Sequence, residues 1–86
     1  MKKLLKRKLF TTNGCAKNFF MWEISGERGS VYEIIEEFRG HSIARTMLKG
    51  MYQNRLRAFA EFKKIITGEL TRANRVPFGQ SLVMNS

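Results

Sequence analysis

The stretch Lys8-Leu9-Phe10-Thr11-Thr12-Asn13-Gly14-Cys15-Ala16-Lys17-Asn18-Phe19 decides how this chain is read. Asn-Gly is the favoured pair for a two-residue type I′ turn, because both central residues need positive φ. Asn tolerates that conformation and Gly adopts it freely. A two-residue loop sets Thr12 opposite Cys15, Phe10 opposite Lys17, Lys8 opposite Phe19 and Lys6 opposite Met21. Strand side chains alternate between faces, so this register sorts the hairpin into two surfaces. One carries Leu5, Leu9, Phe20, Trp22 and Ile24, interrupted by Arg7, and reads as the core face. The other carries Lys6, Lys8, Phe10, Lys17, Phe19, Met21 and Glu23, mixing ammonium groups with aromatics expected to be exposed.

Beyond the hairpin, residues 25–30 (Ser-Gly-Glu-Arg-Gly-Ser) form a turn-rich connector. Val31 to Phe38 fits two patterns. Ser30 with Glu33 makes a helical capping box, whereas the β-branched content and a length matching Phe19 to Ser25 suit a strand. Strand is the preferred reading for this segment and for Ser42 to Leu48, since two nine-residue helices would be marginal pieces. From Met51 to Thr67 the period is helical, with Tyr52, Leu56, Phe59, Phe62 and Ile66 on one stripe and Gly68 placed to end it. Thr71 to Ser86 contains Pro77 and Gly79, lacks a period, and reads as an extended or mobile tail. The expected fold is α+β: a small antiparallel sheet, a four-stranded meander, packed against one C-terminal helix over about 51–67. Residues 1–70 form a single domain. A sheet this small leaves one face bare, so a homodimer through sheet edge or face is expected.

Charge narrows the function. Sixteen Lys and Arg against seven Glu and no Asp give +9 on 86 residues. Self-repulsion of that size opposes compaction, so it speaks of partners, and a polyphosphate is the natural one because each neutralised phosphate releases counterions. Four of the seven acids fall between Glu27 and Glu37, dividing a basic hairpin from an arginine-bearing helix. One cysteine, Cys15, allows no internal disulfide and suits a reducing compartment, and with the lone His41 it is too few for a usual zinc site. Lys6, Arg7 and Lys8 interrupt any apolar leader, and no segment reaches transmembrane length. A soluble, cytoplasmic protein without a membrane partner is expected. Walker, dinucleotide-binding, serine-elbow and Cys/His metal motifs are absent from the sequence, so no cofactor is implied.

Two sets of residues carry candidate chemistry. Lys6, Lys8 and Lys17 would neutralise phosphates while Phe10 and Phe19 stack bases, the combination that single-stranded nucleic acid requires. The plain alternative is that the two Phe rings cover a second core, with lysines reaching around them. Arg45, Arg55 and Arg57, with Arg39 and Lys49 nearby, would extend the phosphate track around the start of the helix. The function expected is non-enzymatic binding of RNA or single-stranded nucleic acid with weak sequence preference. A rival reading is a phage-type accessory protein that inhibits a host protein or an RNA-containing toxin or defence complex. A third is a small ribonuclease using His41 with Glu36, Glu37 and Tyr52. The order of four strands and a helix over Leu5 to Thr67 is similar, in architecture alone, to the repeat unit of Whirly and PUR-type single-strand binders. No residue signature is shared, and the resemblance implies only that single-strand binding suits such a layout.

Overall fold

In the computed structural model, which describes residues 1–75, Asn13 and Gly14 take the left-handed conformations the turn demands, with φ of 47° and 81°. They join β1 (Lys2–Thr12) to β2 (Cys15–Gly26), and the pairings Thr12–Cys15, Phe10–Lys17, Lys8–Phe19 and Lys6–Met21 are those read from the sequence. A second tight turn, closed by Gly26 opposite Gly29, leads into β3 (Gly29–Arg39). Gly40 donates its N–H to the Ile43 carbonyl at 2.7 Å and turns the chain into β4 (Ala44–Tyr52). The sheet is an antiparallel meander in the order β1-β2-β3-β4, so both ambiguous segments are strands. The helix α1 (Arg55–Arg75) follows after two residues.

Asn54 starts the helix. Its side-chain oxygen accepts the Arg57 N–H at 3.0 Å, and its carbonyl accepts the Ala58 N–H at 3.0 Å. This is N-capping by one of the residues best suited to it. The helix does not stop at Gly68 but runs through it to Arg75, which places Thr71 to Arg75 in the helix and not in a tail. The remainder of the expected tail lies outside the described residues. Leu56 does not belong to the apolar stripe: it is 79 % exposed, while Ala58 and Phe62 are buried and Phe59, Ile65 and Ile66 pack beside them. The buried line therefore starts at Ala58, two positions after Leu56.

The larger correction concerns the faces of the sheet. The core comprises Phe19, Met21, Tyr32, Ile34, Ala58 and Phe62, and Phe19, Met21 and Ile34 have no exposed surface. The helix thus covers the Phe10–Phe19–Met21 face of the hairpin, not the Leu9–Phe20–Trp22–Ile24 face expected to be core. The reason lies outside the hairpin, where β2 offers apolar residues on both sides. A two-residue link folds α1 back onto β4 and β3, and those strands make the choice. The β3 column beneath the helix is Tyr32, Ile34, Glu36 and Phe38, with one carboxylate, and Glu36 is paired to Lys49 at 3.5 Å. The opposite column holds Glu33 and Glu37. On β4 the position beneath the helix opposite Ile34 is Gly50, and a Cβ there would lie 2.5 Å from the Tyr52 hydroxyl. The missing side chain lets Tyr52 fold over its own strand.

Two irregularities tune the layers. Leu4 pairs with Trp22 and Lys6 with Met21, leaving Leu5 as an extra residue that packs against the core. A similar shift between Ile34 and Ile35 makes Lys49 the extra residue on β4. Such bulges re-aim a side chain without ending the strand, here turning one leucine inward. Among the described residues, no helix is long and apolar enough to cross a membrane.

Candidate nucleic-acid interface

The register assigns the strand cations unevenly. Lys3, Lys6, Lys8, Lys17 and Arg45 stand on the helix side, whereas Lys2, Arg7 and Arg39 stand on the open side. The helix adds Arg55, Arg57, Lys63 and Lys64 to its own side of the sheet. Acids on that side are largely engaged. Glu36 pairs with Lys49, Glu69 with Lys17 at 3.2 Å, Glu61 with Lys64 at 3.5 Å, and Glu23 accepts the Tyr32 hydroxyl proton at 2.9 Å. Because α1 lies over β3 and β4, it leaves β1 uncovered on this side, and a groove runs between the two.

That groove, about 470 Å3, is lined by Lys6, Phe59, Phe62, Lys63, Ile66 and Thr67. Its floor is aromatic and aliphatic, its walls carry ammonium groups, and no carboxylate lines it among the described residues. The Lys6 ammonium and the Arg55 guanidinium both lie 5.6 Å from the centre of the Phe59 ring. Lys8 is 5.8 Å from the Phe10 ring, which meets Phe19 edge-on at 6.1 Å. Cations at this range gain about 0.5–1 kcal/mol from an exposed ring and keep their donors free for other partners. Phe59 and Phe10 are half-buried, so each ring anchors to the core and shows part of itself to solvent.

A second cleft of about 460 Å3 lies on the far flank of the helix, lined by Lys17, Phe19, Glu36, Met47, Lys49, Lys64, Ile65, Gly68 and Glu69. Its two carboxylates face three lysines, so its charge is internally compensated. Its lining carries a net charge of +1, against +2 for the first groove.

The residues singled out from the sequence are thereby divided. Lys6 and Arg55 stand together around Phe59, while Lys8 and Phe10 lie further along β1 beside Phe19. Phe19 has no exposed surface and forms part of the floor, so it cannot stack a base while the helix is in place. Lys17 turns to Glu69 in the compensated cleft. Arg45 lies on the opposite edge strand, 5.3 Å from the Phe38 ring, and Arg57 sits 5.9 Å from the Tyr52 ring, so neither joins the groove beside β1. Phe59 and Lys63 are the residues missed. The i,i+4 spacing puts a lysine one turn after an aromatic, but the helical period by itself reads Phe59 as core.

The His41 constellation is not assembled. His41 lies against the first turn, where a Cβ on Gly14 would come within 2.8 Å of its Cε1. Glu36 is under the helix with Lys49, and Tyr52 is at the other end of β4, paired with Tyr32. Among the described residues there is no group of three or more His, Cys, Asp or Glu able to hold a metal ion.

The fold and groove define a four-stranded meander with a C-terminal helix that flanks a basic, aromatic-floored channel. No protein family, no curated protein and no solved structure matches this chain. The likeness to Whirly and PUR-type repeats therefore stays one of element order alone.

Proposed function

We propose that the protein binds RNA or another single-stranded nucleic acid without catalysis and with little sequence preference, in the groove between β1 and α1. The observation that carries this reading is the groove lining, in which Lys6 and Lys63 flank Phe59 and Phe62 with no carboxylate among them. A single strand would run along β1 with its phosphates near Lys6, Lys8 and Lys63 and its bases against Phe59 and Phe10. The start of the helix supports the same direction. It has no acid in its first turn but carries Arg55 and Arg57, against the sign the helix dipole favours. A phosphate there would offset that repulsion.

The test is fluorescence anisotropy of a mixed-sequence single-stranded RNA against salt. Replacing Lys6 or Lys63 by alanine should each reduce the slope of log affinity against log salt by about 0.7, the release per neutralised phosphate on single strands. Phe59→Leu, which keeps the apolar packing, should weaken binding by about 1–3 kcal/mol if one base stacks there. Absence of binding at low salt, or a salt slope indifferent to Lys6 and Lys63, would overturn the reading. A stoichiometric complex from cell extract that survives nuclease would favour the rival protein-inhibitor function, in which the same cations dock on an acidic surface.

A further inference from the structure

The open face of the sheet differs in chemistry from the helix side. Its centre is Phe20 and Trp22, stacked at 6.3 Å and 27°, with Ile24, Val31 and Ile35 on the neighbouring positions of β2 and β3. Around them Leu4, Leu9, Leu48 and Met51 are 42 %, 46 %, 51 % and 54 % exposed. Contiguous apolar surface of this kind on a small domain marks a contact. The charges on this face fall into columns. Lys2 and Arg7 stand on β1, near Trp22 at 4.8 Å and Phe20 at 5.8 Å respectively, while Glu33 and Glu37 stand on β3, with Arg39 beyond them at the end of that strand, level with Ala16 and Ala44.

We infer that this face binds a second copy of the chain, sheet against sheet. Rotating a copy about a two-fold axis between β2 and β3 lays β1 over β4 and β2 over β3. The Lys2–Arg7 column of each molecule then comes beside the Glu33–Glu37 column of the other. A surface with cations on one strand and carboxylates two strands away is complementary to itself under that operation, as an isologous contact must be. The size also suffices. Four strands of about 10 residues span roughly 35 Å by 19 Å, or roughly 650 Å2 per copy and 1,300 Å2 in all. That lies within the range of specific, stable interfaces of about 1,200–2,000 Å2.

Two alternatives are disfavoured by named residues. Edge-to-edge pairing would use β1 or β4. β1 carries Lys2, Lys3, Lys6, Arg7 and Lys8, and both strands are bulged, devices that block such pairing. A base-stacking platform on Phe20 and Trp22 would bring phosphates against Glu33, which is paired directly with Trp22, and against Glu37. The nucleic-acid groove lies on the other side of the sheet, so dimerisation leaves it open on both copies.

Trp22 is the only tryptophan, and it sits at the centre of the proposed contact. Sedimentation equilibrium of nucleic-acid-free protein between about 1 and 100 µM should show twice the chain mass at the upper end, with Trp22 emission shifting to shorter wavelength along the same isotherm. Leu48→Lys and Met51→Lys change exposed side chains and should leave the monomer folded by circular dichroism. Each should raise the dimer Kd about 100-fold. Arg7→Glu should weaken the dimer about 10-fold, and adding Glu33→Lys with Glu37→Lys should restore it. A monomer throughout the range overturns the inference, as do lysine variants with unchanged Kd. So does quenching of Trp22 by single-stranded RNA in a monomeric protein, which would assign the face to base stacking. None of these results bears on Lys6 and Lys63, so failure here is distinct from failure of the groove.

Discussion

Replacing Phe19 by alanine decides which face of the first hairpin the helix covers. The ring has no exposed surface, contacts Phe10 edge-on at 6.1 Å and lies in the same buried cluster as Met21, Ile34 and Phe62. Truncating a fully buried Phe removes its transfer free energy and leaves a cavity, together costing about 3–5 kcal/mol. A domain of this size shifts its Tm by about 4–8 °C per kcal/mol, so the variant should melt roughly 12–40 °C lower. Against a total stability of about 5–15 kcal/mol, this leaves a population of unfolded chain at ambient temperature. The assay pairs thermal circular dichroism with RNA anisotropy at low temperature, and Phe59→Leu serves as the contrasting variant. Phe19→Ala should lose stability and, where still folded, retain the salt slope of the wild type. Phe59→Leu should keep most of its Tm and lose affinity. A Phe19→Ala protein whose Tm is unchanged within about 3 °C but whose affinity falls would refute the facing of the sheet.

Other substitutions probe individual contacts. Asn54→Ala removes the helix cap and should cost about 1 kcal/mol, seen as a lower Tm and faster amide exchange at Arg57. Gly14→Ala should cost about 1–2 kcal/mol for placing a side chain at φ 81°, plus the clash with His41. Adding His41→Ala should recover only the clash. The Tyr32 phenol is raised above its ordinary value of 10.0, first by the hydrogen bond to Glu23, then by burial and by the Glu23 charge. The folded state therefore holds that proton more tightly than the unfolded chain does. Its contribution to stability is complete below pH 10 and is lost as pH rises through the folded value. Glu23→Gln should move the tyrosinate absorbance titration of Tyr32 downward.

Local pattern was sufficient for the elements and insufficient for their facing. Asn13-Gly14 fixed the first register from Thr12–Cys15 out to Lys6–Met21, where the bulge at Leu5 ended its reach, and the strand reading of Val31 to Phe38 followed from length matching. The facing failed because β2 is apolar on both sides: Phe19 and Met21 compete with Phe20, Trp22 and Ile24. The contest is settled by Gly50, Glu33 and Glu37, which act across strands and can be weighed only once β3 and β4 are aligned. Helix length failed at Gly68, where a residue that often ends helices lies between Ile65 and Ile66, packed on the core, and Glu69, held by its ion pair to Lys17. Of the candidate site, the cations of β1 were legible because alternation alone groups Lys6 with Lys8. Phe59 was not, since a ring that is half core and half groove has no signature of its own. Lys17 drew notice for its charge, but Glu69 lies 52 residues away in the chain and no local pattern links them.

The meander has a consequence for how the chain is made. Each strand pairs with the one synthesised just before it, so the growing sheet has one moving border and one fixed border, β1. The helix residues that cover Phe19 emerge roughly 40 residues later, a delay of about 2–8 s at common rates of translation. Throughout that interval the nascent sheet shows apolar rings on both sides and would adhere to any neighbouring extended chain. The border that stays open from the start is the one bearing five cations among its first seven residues. Repulsion between such borders opposes edge pairing of neighbouring copies. Replacing those lysines to weaken nucleic-acid binding would therefore also lower the yield of soluble protein during synthesis, before any ligand is met.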